Sequence, residues 1–228
     1  MRAITLFLSA TCLLLAGCNL TTKSINNGYL PNYDKLTVLE DSSLGYQMRW
    51  ISNELTRNIS PFKPKSIFLE PVQYYPRLES NEQFDQKHAK DISAYIDFRL
   101  KEVVEKYFPI ATTKDKNTLV IKPAITAVKI SLEDMSPLEV VPFRAVISAI
   151  SLTTGARDRD VEIRLESKIT KGNSDQLIGA TVHGGQGLQL ENSSEQLTQK
   201  HVKQLIDNWV FAWDQQLKAY KQKLDANS

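Results

Sequence analysis

From Val161 to Ile169 the chain alternates between two kinds of side chain. Val161, Ile163, Leu165 and Ile169 are apolar, while Glu162, Arg164, Glu166 and Lys168 between them are charged. Successive side chains on a strand point to opposite faces, so this pattern specifies a strand with one face on a core and one in water. Shifting the register by one residue would reverse both faces, which leaves little freedom in how it pairs. Lys171-Gly172-Asn173-Ser174-Asp175 then supplies turn residues, and Leu177 to Val182 supplies a returning strand. The result is an antiparallel hairpin. His183-Gly184-Gly185-Gln186-Gly187 is expected to leave it as a loop.

A lone hairpin has nothing to bury its apolar face against, so the rest of the chain must provide cover. Two stretches have the period to do so. Phe84, His88, Ile92, Tyr95, Ile96, Leu100, Val103, Val104 and Tyr107 recur at three- and four-residue intervals, and Pro109 stops the run. Near the C-terminus Leu197, His201, Leu205, Trp209, Trp213, Leu217, Tyr220 and Leu224 form one stripe, broadened by Val202, Ile206, Val210 and Phe211. That width suits a helix lying on a sheet better than a coiled-coil seam. Ser193-Ser194-Glu195-Gln196 offers hydroxyl caps and an acidic first turn for it.

Further strands are expected at residues 66–75, where Pro71 indicates an edge or bulge, and at 118–132. Residues 37–64 are weakly patterned, with a short helix suggested by Met48, Trp50, Ile51 and Leu55. Val140 to Leu152 fits both periods and is read as a short helix. Together these predict an α+β fold, a mixed sheet of about four strands with two long helices on one face and the other face partly open.

The N-terminus is of a different kind. Arg2 precedes an uncharged apolar run from Ile4 to Leu15, which ends in Leu15-Ala16-Gly17-Cys18. As a helix the run spans about 18 Å, short of the ~30 Å hydrocarbon core, so it reads as a cleaved signal rather than a membrane span. Leu-Ala-Gly-Cys directly after it resembles the lipobox of bacterial lipoproteins. The resemblance implies cleavage before Cys18, diacylglycerol on its thiol and acylation, typically palmitate, of its amine. Asn19 in the next position, where an aspartate would favour inner-membrane retention, points to the outer membrane. Residues 1–17 are thus expected to be signal peptide. Residues 18–36 hold the lipidated Cys18, a polar tether, and a docking strap around Tyr29, Leu30, Tyr33 and Leu36. Residues 37–228 are expected to form a single α+β periplasmic domain.

Charge and cysteine content narrow the function. The chain of 228 residues carries 28 Lys and Arg against 26 Asp and Glu, so nothing in the overall balance attracts nucleic acid. Cys12 is lost with the signal, leaving Cys18 as the one mature cysteine. An acylated sole thiol leaves no disulfide, thiolate ligand or cysteine nucleophile.

Candidates for catalysis give way to plainer readings. His88, His183 and His201 share no zinc-ligand spacing with one another or with a carboxylate. His88 and His201 lie on the apolar stripes of their helices. His183-Gly184-Gly185 lacks the Gly-x-Ser-x-Gly nucleophile elbow that an esterase needs, and no phosphate-binding glycine loop occurs. Tyr74 and Tyr75 point to opposite faces of their strand, so one of them, with the His183 loop, is a candidate binding surface. No catalytic residue, metal ligand or cofactor is expected.

Gly28-Tyr29-Leu30-x-x-Tyr33-x-x-Leu36 after the anchor, Glu70-Pro71-Val72-x-Tyr74 on a strand, and the hairpin from Glu162 to Gly179 occur in a recognisable order. In this the chain resembles the uncharacterised Gram-negative lipoproteins known as domain of unknown function 3313, over roughly residues 25–220. The turn Lys171-Gly172-Asn173-Ser174-Asp175 departs from the family's Asp-Ser-x-Thr-Gly-Glu form. The resemblance implies no activity and no catalytic residues. The expected function is therefore a non-enzymatic lipoprotein of the cell envelope, at the periplasmic side of the outer membrane. Its expected partners are membrane lipid, through acylated Cys18, and an envelope protein. The alternative is an envelope hydrolase or carbohydrate-binding module using the open sheet face.

Overall fold

The computed structural model describes residues 26–42, 45–56, 62–78, 84–132, 158–192 and 194–226. In chain order they form β1 (Thr37–Ser42), β2 (Gly45–Ile51), the one-turn α1 (Asn53–Thr56), β3 (Ser66–Leu69), β4 (Gln73–Tyr74), α2 (Gln86–Glu105), β5 (Thr118–Leu132), β6 (Arg159–Lys171), β7 (Leu177–Gln186) and α3 (Gln199–Ala226). The seven strands make one sheet in the order β1-β2-β7-β6-β5-β3, with β4 pairing farther along β5. The class is α+β, but about four strands is too low a count.

The hairpin β6–β7 occupies the middle of this sheet, flanked by β5 and β2, all antiparallel. β3 and β4 instead run parallel to β5. A parallel pair needs a long crossover, and α2 provides it. The run from Ser66 to Tyr75 is two short strands, broken at residues 70–72 around Pro71, on an edge where a missing N–H costs no ladder bond.

The other additions are β1 and β2. Residues 45–51 are a strand and not the start of a helix; only Leu55 falls in a helical turn. Tyr46, Met48 and Trp50 carried a period of two. It was obscured because the opposite face holds Gln47, Arg49 and the apolar Ile51. β1 is an outer strand whose Val38 and Leu39 are exposed, so burial imposes little alternation on it.

Both long helices lie against the same core. Ile92, Ile96, Leu100, Val103 and Val104 of α2, with Val202, Leu205, Ile206, Trp209 and Trp213 of α3, pack with Ile121, Ile125, Ile163 and Leu165 of the sheet. The start of α2 is fixed by Asp85, whose carboxylate accepts the backbone N–H of His88 at 2.8 Å. α3 begins at Gln199, later than the serine caps suggest. There the ring Nδ1 of His201 accepts the Thr198 backbone N–H at 3.0 Å, while Nε2 donates to Glu195 at 3.1 Å. His201 is thus a satisfied boundary histidine. Tyr95 donates to Asp207 at 2.6 Å and Lys106 to Asp214 at 2.9 Å, tying the two helices together.

The opposite sheet face carries a second core. Tyr29, Leu30, Tyr33 and Leu36 are buried on it against Met48, Ala124, Ala180 and Val182. Small side chains at 124 and 180 leave room for the segment to lie close. This face is covered over that area, not open. The signal peptide, Cys18, the tether up to residue 25 and the helix expected within 140–152 fall outside the described residues.

Candidate functional site

The charged face of β6 departs furthest from its sequence reading. Arg164 is 2% and Glu166 0% exposed, so half of the supposed wet face is interior. Buried charge is tolerated only when paired and hydrogen-bonded. The Glu166 carboxylate accepts from the Tyr33 hydroxyl at 2.7 Å, the Thr126 hydroxyl at 2.7 Å and the Asn27 amide at 2.8 Å. Arg164 Nε lies 3.3 Å from the same carboxylate and donates to Thr126 at 3.1 Å. Burial pushes the Glu166 carboxyl above its ordinary value, while Arg164 and the hydrogen bonds pull it back down. Burial likewise raises Tyr33, whose hydroxyl faces that carboxylate. Thr126 reaches the pair because it sits at a register shift in β5, between Ile125 and Ala127. The arrangement fastens the segment before β1 to the sheet. Thr126, Arg164 and Glu166 are all buried within it.

Tyr74, Tyr75 and His183 are not brought together. Tyr74 donates to the Ala89 carbonyl at 2.9 Å and packs on Phe84. Tyr75 is exposed, its hydroxyl 3.3 Å from the Gly28 carbonyl and its ring against Tyr29. His183 lies across the sheet in the interior, within β7 and not in a loop. Gly184 and Gly185 belong to the strand too: a Cβ on Gly184 would collide with the Tyr46 ring lying over it.

The His183 ring is enclosed by Trp209 and Trp213. The Trp213 indole donates to Nε2 at 3.0 Å, and the Gln47 side-chain amide lies 3.1 Å from Nδ1. Burial depresses its pKa to about 3, so the ring is neutral at any physiological pH.

Beside Trp213 the helix-bearing face of the sheet opens into a cleft of about 740 Å³. It extends under the last turns of α3. Its floor follows from strand register. Thr37, Arg49, Thr181 and Ser167 are paired across β1, β2, β7 and β6, and Ile51, Gly179, Ile169 and Ile121 form the next row across β2, β7, β6 and β5. Leu217 and Tyr220 of α3 and Leu100 of α2 form its walls. Sequence reading missed it because its floor residues lie on five strands spread over more than a hundred positions. Among the described residues the lining holds two cationic side chains, Arg49 and Lys223, and no carboxylate or histidine. It is shaped to hold a largely apolar molecule. Among the described residues no group of His, Cys, Asp and Glu is arranged to hold a metal.

Comparison with known proteins agrees with the sequence resemblance. The chain is 29% identical over 204 residues to the uncharacterized lipoprotein YdcL of Escherichia coli K12, a match covering 88% of this chain and 90% of that one. This likeness supports a membrane-anchored lipoprotein of unknown function. Among solved structures, PelC dodecamers from Paraburkholderia phytofirmans align with TM-scores of 0.36 and 0.35 at 8% and 7% identity, covering 78% of this chain and 98% of theirs. A minor lipoprotein from Acinetobacter baumannii aligns with a TM-score of 0.27 at 10% identity, covering 73% of this chain and 95% of its own. The model of the family described as "Protein of unknown function (DUF3313)" matches residues 26–211, from the buried strap through the sheet into α3, and the chain belongs to that family.

Proposed function

We propose that this chain is a non-catalytic binding lipoprotein of the outer membrane. It is held at the periplasmic side by acyl chains on Cys18, and its cleft takes up a ligand or partner in the envelope. The observation that carries the binding role is the cleft itself, where Ile51, Ile169 and Ile121 lie beside a polar row that holds Arg49. The anchor reading rests on Leu15-Ala16-Gly17-Cys18 and Asn19, with the lipoprotein relative in support. Several acyl chains hold a protein permanently at a bilayer, since each buried methylene contributes ~0.8 kcal/mol.

Two measurements test this. Cells fed alkynyl palmitate and fractionated on a density gradient should give labelled protein in the outer membrane and unlabelled Cys18→Ser protein. Label retained by the serine variant, or wild-type protein in the inner membrane, overturns the anchoring. A photo-crosslinking residue in place of Gln215, at the cleft, should capture an adduct in living cells. Irradiation that yields none overturns the binding role.

A further inference from the structure

The cleft has a polarity gradient that the sheet register builds in. Its polar row is Thr37, Arg49, Thr181 and Ser167, and its apolar row, two residues along each shared strand, is Ile51, Gly179, Ile169 and Ile121. Arg49 is the one charge in the polar row. Its guanidinium has no ion-pair or hydrogen-bond partner among the described residues. Lys223 of α3 also lines the cleft. A guanidinium without a protein counter-ion is free to pair with an anion, and its planar fork matches a carboxylate through two parallel hydrogen bonds. At the apolar end Leu119 and Leu217 join the isoleucine row. There the Tyr220 hydroxyl is shut off from solvent without a hydrogen-bond partner. The volume, about 740 Å³, lies within the ~300–1,000 Å³ of small-molecule sites.

We propose that the cleft binds a long-chain carboxylate, a free fatty acid, with its head on Arg49 and its chain along Ile51, Ile169 and Ile121. One arginine in one polar row fits one planar carboxylate, and one row of isoleucines fits one chain. The inference rests on the binding role proposed above and names its ligand.

The test uses the full chain in isolated membranes, irradiated with a diazirine-bearing palmitate or with its methyl ester, followed by mass spectrometry of the labelled peptides. Label should concentrate on peptides containing Ile121, Ile169 or Leu217 and be competed by unmodified palmitate. It should drop about tenfold with the methyl ester and in Arg49→Gln, and return in Arg49→Lys. Equal labelling by acid and ester, or label confined to peptides outside the cleft, overturns the proposal. If Arg49→Gln loses its circular dichroism, Leu217→Trp serves instead. It fills the apolar end without touching the arginine and should abolish the label, and a folded Leu217→Trp protein labelled like wild type also overturns the proposal. A Gln215-site adduct that contains no fatty acid would sink this inference and leave the binding role standing, whereas no adduct at all would sink both.

Discussion

The Tyr33 hydroxyl donates to the Glu166 carboxylate at 2.7 Å across 133 residues of chain. It fastens the segment before β1 to a glutamate that the sheet and that segment together remove from water. Replacing Tyr33 with Phe removes one of the partners of a buried charge, at a cost of about 1–3 kcal/mol. Glu166→Leu should cost more, about 3–5 kcal/mol, because Arg164 is then buried without its counter-charge. Urea denaturation measures both. In Tyr33→Phe, limited proteolysis should also cut near residues 26–36 sooner than in wild type. Equal cutting rates would show that the hydroxyl does not hold the strap.

His183 makes stability depend on acid. Its folded pKa is about 3, below the ordinary 6.5, so the unfolded chain binds the proton first. The contribution is complete above about pH 6.5 and is lost as pH falls toward 3, at about 1.4 kcal/mol per pH unit. Glu166 acts with the opposite sign. Its folded pKa is raised, so protonation as pH falls favours the folded state. His183→Gln, measured by denaturation from pH 7 to 4, should flatten the profile by one proton's worth of slope. An unchanged slope would mean that the ring does not stay neutral.

The clamp between the long helices is a weaker bond. Arg99 and Asp207 form an ion pair across α2 and α3, joined by Tyr95 and Lys203, and both Arg99 and Asp207 remain partly exposed. Exposed pairs contribute little and are screened by salt. Asp207→Asn should therefore cost only about 1 kcal/mol at low salt and less at 1 M. A salt-independent loss would contradict an electrostatic role.

Gly184 is set by its neighbour across the strands. Its Cβ position is occupied by the Tyr46 ring, whose hydroxyl is buried. Gly184→Ala should destabilise by about 1–3 kcal/mol through overpacking. Combining it with Tyr46→Ala should recover part of that loss, and strictly additive effects in the double-mutant cycle would show that the two positions do not interact.

Legibility followed the range of the interaction. β5, the β6–β7 hairpin and both long helices each turn an apolar row toward the core between sheet and helices, so their periods of 2 and 3.6 stand out in the chain. β1 and β2 did not, because an outer strand is half exposed and Ile51 disrupts the alternation of its neighbour. The His183 glycines were read as a loop because glycine is common in turns, yet at 184 the cause is a tyrosine 138 positions earlier lying across it.

By itself the sequence determined the two amphipathic helices and the hairpin with its inward Val161, Ile163 and Leu165. Both are encoded by residues a few positions apart. Which face of β6 meets water was decided by tertiary structure, when Asn27, Tyr33 and Thr126 converged on Glu166. The cleft was decided the same way, by the register that sets Arg49 beside Thr181 and Ile51 beside Gly179. A charged residue in a strand reads as solvated until its partners arrive from elsewhere in the chain, and local pattern carries no record of them.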